Sequence, residues 1–142
     1  MKNDIDIDIT LPSHTRHLRM VGKVGQKVAE ELDCPESVRE TLSGQLAVVL
    51  TEGVVNAIKH ASKADPKKEI HLRINVSNNN LVVRIYDNGV GFDLDAVSPP
   101  RFNINGMEDK GRGIFILRSL MDSVKYTRST NGNVLEMEKK LA

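Results

Sequence analysis

Two runs of alternating apolar residues, joined by three asparagines, constrain this chain more than any other feature. Ile70, Leu72, Ile74 and Val76 alternate with His71, Arg73 and Asn75, and after Asn78, Asn79 and Asn80 the alternation resumes over 81–87. Side chains point to opposite faces of a strand in turn, so each run presents one apolar and one polar face, and the asparagine link folds the pair into a hairpin. Ile5, Ile7, Ile9 and Leu11 repeat the pattern between Asp4, Asp6, Asp8 and Thr10. Residues 124–128 and 134–140 read as two further strands turning through Asn131-Gly132, a favoured hairpin dipeptide. A sheet that is apolar on one face only must be covered on that face.

Helices supply the cover. Over 13–32, Leu18, Val21, Val28 and Leu32 recur at helical spacing, while Arg16, Arg19, Lys23 and Lys27 occupy other faces. Pro35 suits a first helical position, and a second helix over 35–61 carries the stripe Leu46, Leu50, Gly53, Ala57 and Ala61 before Pro66 ends the segment. Residues 94–112 contain Pro99, Pro100 and Gly106 with no sustained period and read as a long loop, after which 113–121 returns to helical character. This order predicts an α/β two-layer sandwich, with a mixed, mostly antiparallel sheet and its helices on one face. A length of 142 residues predicts a single domain, 1–142.

Composition narrows the function classes. Twenty basic and nineteen acidic residues leave a formal charge of +1, so no direct nucleic-acid partner and no anionic membrane surface is expected. Cys34 is the only cysteine, which excludes an intrachain disulfide and shows no zinc-ligand spacing. No run reads as a targeting segment or as the ~18 apolar residues of a membrane span, and a cytoplasmic protein is expected.

Three local patterns carry chemistry. Glu52 and Asn56 lie one helical turn apart in an otherwise apolar stretch, with Lys59 and His60 another turn on, so the four read as neighbours on one face. A carboxylate and an amide buried there need a partner, which a ligand would supply; an exposed polar edge on a core helix is the alternative. Asp87 shares strand parity with Leu81, Val83 and Ile85, so its carboxylate points inward, and Gly89 and Gly91 after it permit a tight turn and close approach of a flat ligand. An ordinary Asp-Asn-Gly turn gives the same letters. Gly111-Arg112-Gly113 stands where the long loop becomes a helix, a place where backbone donors and the helix dipole favour phosphate. Neither the Gly-Lys-Ser/Thr phosphate loop nor the G-x-G-x-x-G dinucleotide pattern occurs.

In this fixed order the patterns resemble a known superfamily. The segment 52–61, EGVVNAIKHA, is similar to the N box of the GHKL (Bergerat-fold) ATPases, 87–92, DNGVGF, to their G1 box, and 111–113 to their G2 box. GRGIFILRSLMD over 111–122 resembles the anti-sigma-factor serine/threonine kinases within that superfamily. The resemblance implies ATP and Mg²⁺ as cofactors, with Asp87 accepting from the adenine amino group, Asn56 holding Mg²⁺ and Glu52 acting as general base on a seryl hydroxyl. It implies that Gly89 and Gly91 line the nucleotide, that Gly111, Arg112 and Gly113 form part of a lid over the phosphates, and that Lys59 and His60 lie in the phosphate neighbourhood. It further implies a homodimer whose partners are a sigma factor and a STAS-domain anti-sigma-factor antagonist, met around the first helix. Family members often carry Gly-Thr where this chain has Gly132-Asn133, which bears on the detail of adenine contact. The alternatives are a catalytically silent ATP-binding interaction switch and a detached histidine-kinase catalytic domain.

Overall fold

The computed structural model describes residues 4–61, 67–89, 91, 93–94, 102–103, 106–107 and 109–141. Strand β1 (Ile5–Pro12) leads through a short 3₁₀ turn to helices α1 (Leu18–Glu30) and α2 (Glu36–Asn56), and a hairpin of β2 (Glu69–Ser77) and β3 (Asn80–Asp87) follows. Two-residue strands β4 (Phe102–Asn103) and β5 (Gly106–Met107) precede α3 (Asp109–Leu120), and the chain closes with β6 (Ser123–Ser129) and β7 (Gly132–Lys140). The main sheet has the order β1-β2-β3-β7-β6, and every described pairing in it is antiparallel.

Register explains both faces of the sheet. Ile7, Ile74, Val83, Met137 and Val124 lie directly opposite one another across all five strands, and Ile9, Leu72, Ile85, Leu135 and Tyr126 form the next row on the same face. The other face is polar. There Arg73 pairs with Asp6 at 3.1 Å and Arg84 with Glu136 at 2.8 Å, while His71 bonds Asp8. The Arg73 guanidinium holds the exposed Asp6 carboxyl below its ordinary range through a direct hydrogen bond. Opposite charges on neighbouring strands support the pairing modestly, and they leave the apolar face as the one that must be covered.

Helix α2 provides the centre of that cover. Its Leu46, Val49, Leu50 and Val54 join Ile70, Leu72, Ile74, Val83, Ile85, Leu135 and Met137 in a single buried cluster. Both α1 and α3 pack against α2. The helical stretch Glu36–Lys59 also contains an 18-residue window of mean hydropathy 1.3, long and apolar enough to cross a membrane by composition, contrary to expectation. Half of that window is buried among the other elements, the position of a core helix.

Three boundaries differ from the sequence reading. Pro35 is extended (φ −56°, ψ 149°) and caps α2 rather than opening it. The second helix does not stay α-helical to residue 61, because the chain widens into a π turn over Ala57–Ala61. Helix α3 begins at Asp109, so Gly111-Arg112-Gly113 lies within its first turns, and the stretch read as one long loop contains the β4–β5 pair. Glycine disfavours a helix by about 1 kcal/mol relative to alanine, so local propensity delays the apparent start, whereas packing decides the real one.

Close packing of α1 on α2 rests on Gly25. A Cβ there would lie 2.7 Å from the Leu46 carbonyl oxygen and 2.9 Å from the Ala47 nitrogen, both backbone atoms that cannot turn aside. Gly25→Ala would gain about 1 kcal/mol of helix propensity but incur an overpacking cost of about 1–3 kcal/mol, so a net loss of stability is expected. Gly44 on α2 has nothing within 4 Å of its would-be Cβ, and Gly44→Ala is expected to stabilise by about 0.5–1 kcal/mol. Urea unfolding of both variants checks the pair; two shifts of the same sign would contradict this account of the α1–α2 contact.

Candidate nucleotide-binding site

One end of the sheet departs from the apolar pattern. The third inward-facing row reads Leu11, Ile70, Asp87, Asn133 and Arg128, so polar side chains replace aliphatic ones from β3 onward. Asp87 is 3% exposed and Asn133 4%, which makes their hydrogen bonds obligatory. Asp87 Oδ1 accepts from the Gly89 backbone N–H and from Asn133 Nδ2, both at 2.9 Å, and Oδ2 accepts from the Tyr126 hydroxyl at 3.3 Å. Asn133 Nδ2 also donates to the Gly89 carbonyl at 2.9 Å. The inward carboxylate expected from strand parity is therefore present, and the protein itself supplies donors to it. Asn133, at the point where Gly-Thr is frequent, ties the end of β3 to the glycine turn.

Tyr126 escaped the sequence reading. Burial first, then the negative charge of Asp87 and the hydrogen bond to it, push the phenol well above its ordinary range, while Arg128 opposes them weakly. The hydroxyl consequently remains a donor throughout the physiological range. Its signal in the sequence was parity alone: Tyr126 stands two residues after Val124 and two before Arg128 on one face of β6.

The second part of the site lies on α2 and α3. Glu52 is half-buried and Asn56 is 6% exposed, one turn along α2. Helix α3 approaches so closely that a Cβ at Gly113 would sit 3.0 Å from Glu52 Oε2. Glycine at 113 thus admits the carboxylate to the amino-terminal turns of α3, where helix N–H groups and the dipole favour negative charge. Arg112 is exposed on the same turn. Lys59, three residues after the buried Asn56, is exposed and lies on the π turn. The His60 side chain and all of Val90 and Phe92 lie outside the described residues, as does the exposure of Gly111. Gly89 and Gly91 follow Asp87, and Gly91 has φ +74°, a conformation side chains rarely adopt.

These groups suit a nucleotide with its metal better than a metal alone. Among the described residues no group of three or more His, Cys, Asp or Glu is placed to hold an ion. Asn56 and Glu52 offer one amide and one carboxylate oxygen, a sparse hard-donor set of the kind that binds Mg²⁺ only when phosphates and water complete its shell.

A family model described as the histidine kinase-like ATPase domain matches residues 11–139. The chain belongs to this family. Serine-protein kinase RsbW of Bacillus subtilis is 26% identical over an alignment that covers 99% of this chain and 89% of the relative. Serine-protein kinase RsbW of Bacillus velezensis is 29% identical, with 85% and 87% covered. Among solved structures, the RsbU and RsbW domains of a Mycobacterium tuberculosis protein superpose with a TM-score of 0.60 at 14% identity, covering 96% of this chain and 32% of that one, a likeness of fold. The expected two-layer sandwich of the GHKL type is thereby borne out, and so is the resemblance to the anti-sigma-factor kinases.

The Asp87 cluster generates a double expectation. Asp87→Ala removes the acceptor of the Gly89 N–H and one acceptor of the buried Asn133 amide, at about 1–3 kcal/mol of stability for each donor left unsatisfied, and nucleotide affinity should fall about tenfold to a hundredfold. Chemical denaturation and calorimetry of the folded variant check the two effects. Unchanged nucleotide affinity in a folded variant would remove Asp87 from the binding site.

Proposed function

We propose that this chain is an ATP-dependent serine/threonine protein kinase that acts as an anti-sigma regulatory factor, with Mg²⁺ as its metal. The observation that carries the proposal is the meeting of Glu52 with the first turns of α3, one helical turn from the buried Asn56. A nucleotide whose base lies at Asp87 would extend its phosphates toward that junction. Glu52 would stand where a substrate hydroxyl must arrive in line with the terminal phosphorus, which is the requirement for phosphoryl transfer.

The residues divide the work by chemistry. Asp87 accepts from the 6-amino group of adenine and so fixes the base. Gly89 and Gly91 leave room for it, while Gly111 and Gly113 let backbone come near the phosphates and Arg112 reaches phosphate or partner. Asn56 offers its amide oxygen to Mg²⁺, and bound Mg²⁺ supplies charge neutralisation on the β- and γ-phosphates. Glu52 orients the seryl hydroxyl and takes its proton as the oxygen forms a bond to the γ-phosphorus and the bond to the β–γ bridging oxygen breaks. ADP and the phosphoserine of the partner result. Lys59 and His60 are assigned only to the neighbourhood of the phosphates.

The partners proposed are a sigma factor and a STAS-domain antagonist, with the kinase as a cytoplasmic homodimer. Support comes from the RsbW relatives and from a groove of about 620 Å³ between β1 and α1, lined by apolar residues such as Ile7, Ile9 and Met20, with Asp4, Lys23, Lys27 and Glu31 among its charged residues. Met20 in it is 44% exposed, an apolar surface with a charged rim of the kind that receives a protein.

Glu52→Gln keeps the size and much of the hydrogen bonding of the side chain but removes the base. Nucleotide affinity should change little, while phosphoryl transfer to the antagonist falls on the order of 10²- to 10⁴-fold. Single-turnover measurement at saturating ATP isolates the chemical step from slow product release. Transfer at the wild-type rate would take Glu52 out of catalysis, and a wild-type chain that binds ATP and partners without transfer would favour the interaction switch.

A further inference from the structure

The two oxygens of Asp87 are not equivalent. Oδ1 receives Gly89 N–H and Asn133 Nδ2, both at 2.9 Å, whereas Oδ2 receives the Tyr126 hydroxyl at a longer 3.3 Å. Short bonds to fixed donors make Oδ1 a structural atom, held by a backbone amide and a buried side chain. The longer contact leaves Oδ2 with acceptor capacity, since a carboxylate oxygen carries two lone pairs. Beside it stands a hydroxyl that stays protonated. Gly91 packs against the same groups: a Cβ there would lie 3.1 Å from Arg128 Nε and 3.2 Å from both the Tyr126 oxygen and Asn133 Nδ2. An acceptor and a donor therefore sit side by side, 3.3 Å apart, next to a glycine turn that comes close to both because it carries no side chain.

We propose that Tyr126 is a base-reading residue, donating its hydroxyl proton to N1 of adenine while Asp87 Oδ2 accepts from the 6-amino group. The assignment rests on the reading of this site as an adenine-nucleotide site. Adenine presents an amino donor beside a ring-nitrogen acceptor, the complement of the Asp87–Tyr126 pair. Binding asks little of the protein, because the hydroxyl hydrogen turns about the C–O bond from Oδ2 toward N1 as the amino group takes its place. Guanine presents a carbonyl oxygen to the carboxylate instead, two acceptors facing each other. Asp87 thus rejects guanine, and Tyr126 adds affinity for the ring nitrogen.

Calorimetry with ATP and with 1-deaza-ATP, which keeps the amino group and replaces N1 by carbon, tests the assignment in wild type and in Tyr126→Phe. Wild type should bind 1-deaza-ATP about three- to tenfold more weakly than ATP, Tyr126→Phe should lose a similar factor for ATP, and the variant should no longer distinguish the two nucleotides. Non-additivity of this kind marks a direct bond between the hydroxyl and N1. If Tyr126→Phe weakens both nucleotides equally, the hydroxyl merely holds Asp87 and the proposal is overturned; unaltered ATP affinity in the variant overturns it too. The wild-type comparison needs no variant, so equal affinity for the two nucleotides there refutes the N1 contact even if Tyr126→Phe folds poorly. A wild-type chain that binds neither nucleotide contradicts the adenine reading itself and this assignment with it.

Discussion

The constraint on which the rest depends is that the five-stranded sheet has one apolar face. Its other face is laced with Asp6–Arg73 and Arg84–Glu136 pairs and tolerates water. Every helix must then be placed on the same side, with α2 at the centre and α1 and α3 against it. The layer between sheet and helices is made of buried aliphatic side chains, and four polar residues, Ser13, Asn56, Asp87 and Asn133, are buried among the described ones. Leaving such a group unsatisfied costs about 1–3 kcal/mol, so each invites the question of what partners it.

For Asp87 and Asn133 the protein answers most of that question. The Gly89 amide, the Asn133 amide group and the Tyr126 hydroxyl all reach the carboxylate, and they join β3, β6, β7 and the glycine turn at one point. This arrangement preorganises the acceptor that a base would meet, so little ordering remains to be done on binding. The α2–α3 end is built differently. Glu52 and Asn56 lie one turn apart on α2, and Gly113 is the residue that lets α3 come near the Glu52 carboxylate.

Much of this was legible in the sequence because it is periodic. Strand parity in 81–87 was enough to turn Asp87 inward, and helical spacing was enough to put Glu52 and Asn56 one turn apart. What escaped is non-local or locally disfavoured. Tyr126 and Asp87 are 39 residues apart in the chain and meet only because the β3–β7–β6 register aligns them. The start of α3 was hidden by Gly111 and Gly113, which argue against helix in isolation; at Gly113 the approach to Glu52 explains the choice. Lys59, read as a neighbour of Glu52 and Asn56 on one helical face, is exposed on the π turn at Ala57–Ala61, a local widening that apolar periodicity does not announce.

The central claim is that the inward carboxylate at the end of β3 selects an adenine nucleotide, whose phosphates then lie toward Glu52 and Asn56. Titration of the wild-type chain with ATP and GTP, each with and without Mg²⁺, tests it most directly. The account predicts Mg²⁺-dependent binding of ATP, with GTP bound at least about tenfold more weakly because its carbonyl faces the Asp87 carboxylate. Equal affinity for the two nucleotides, or no binding of ATP with Mg²⁺ present, would contradict it.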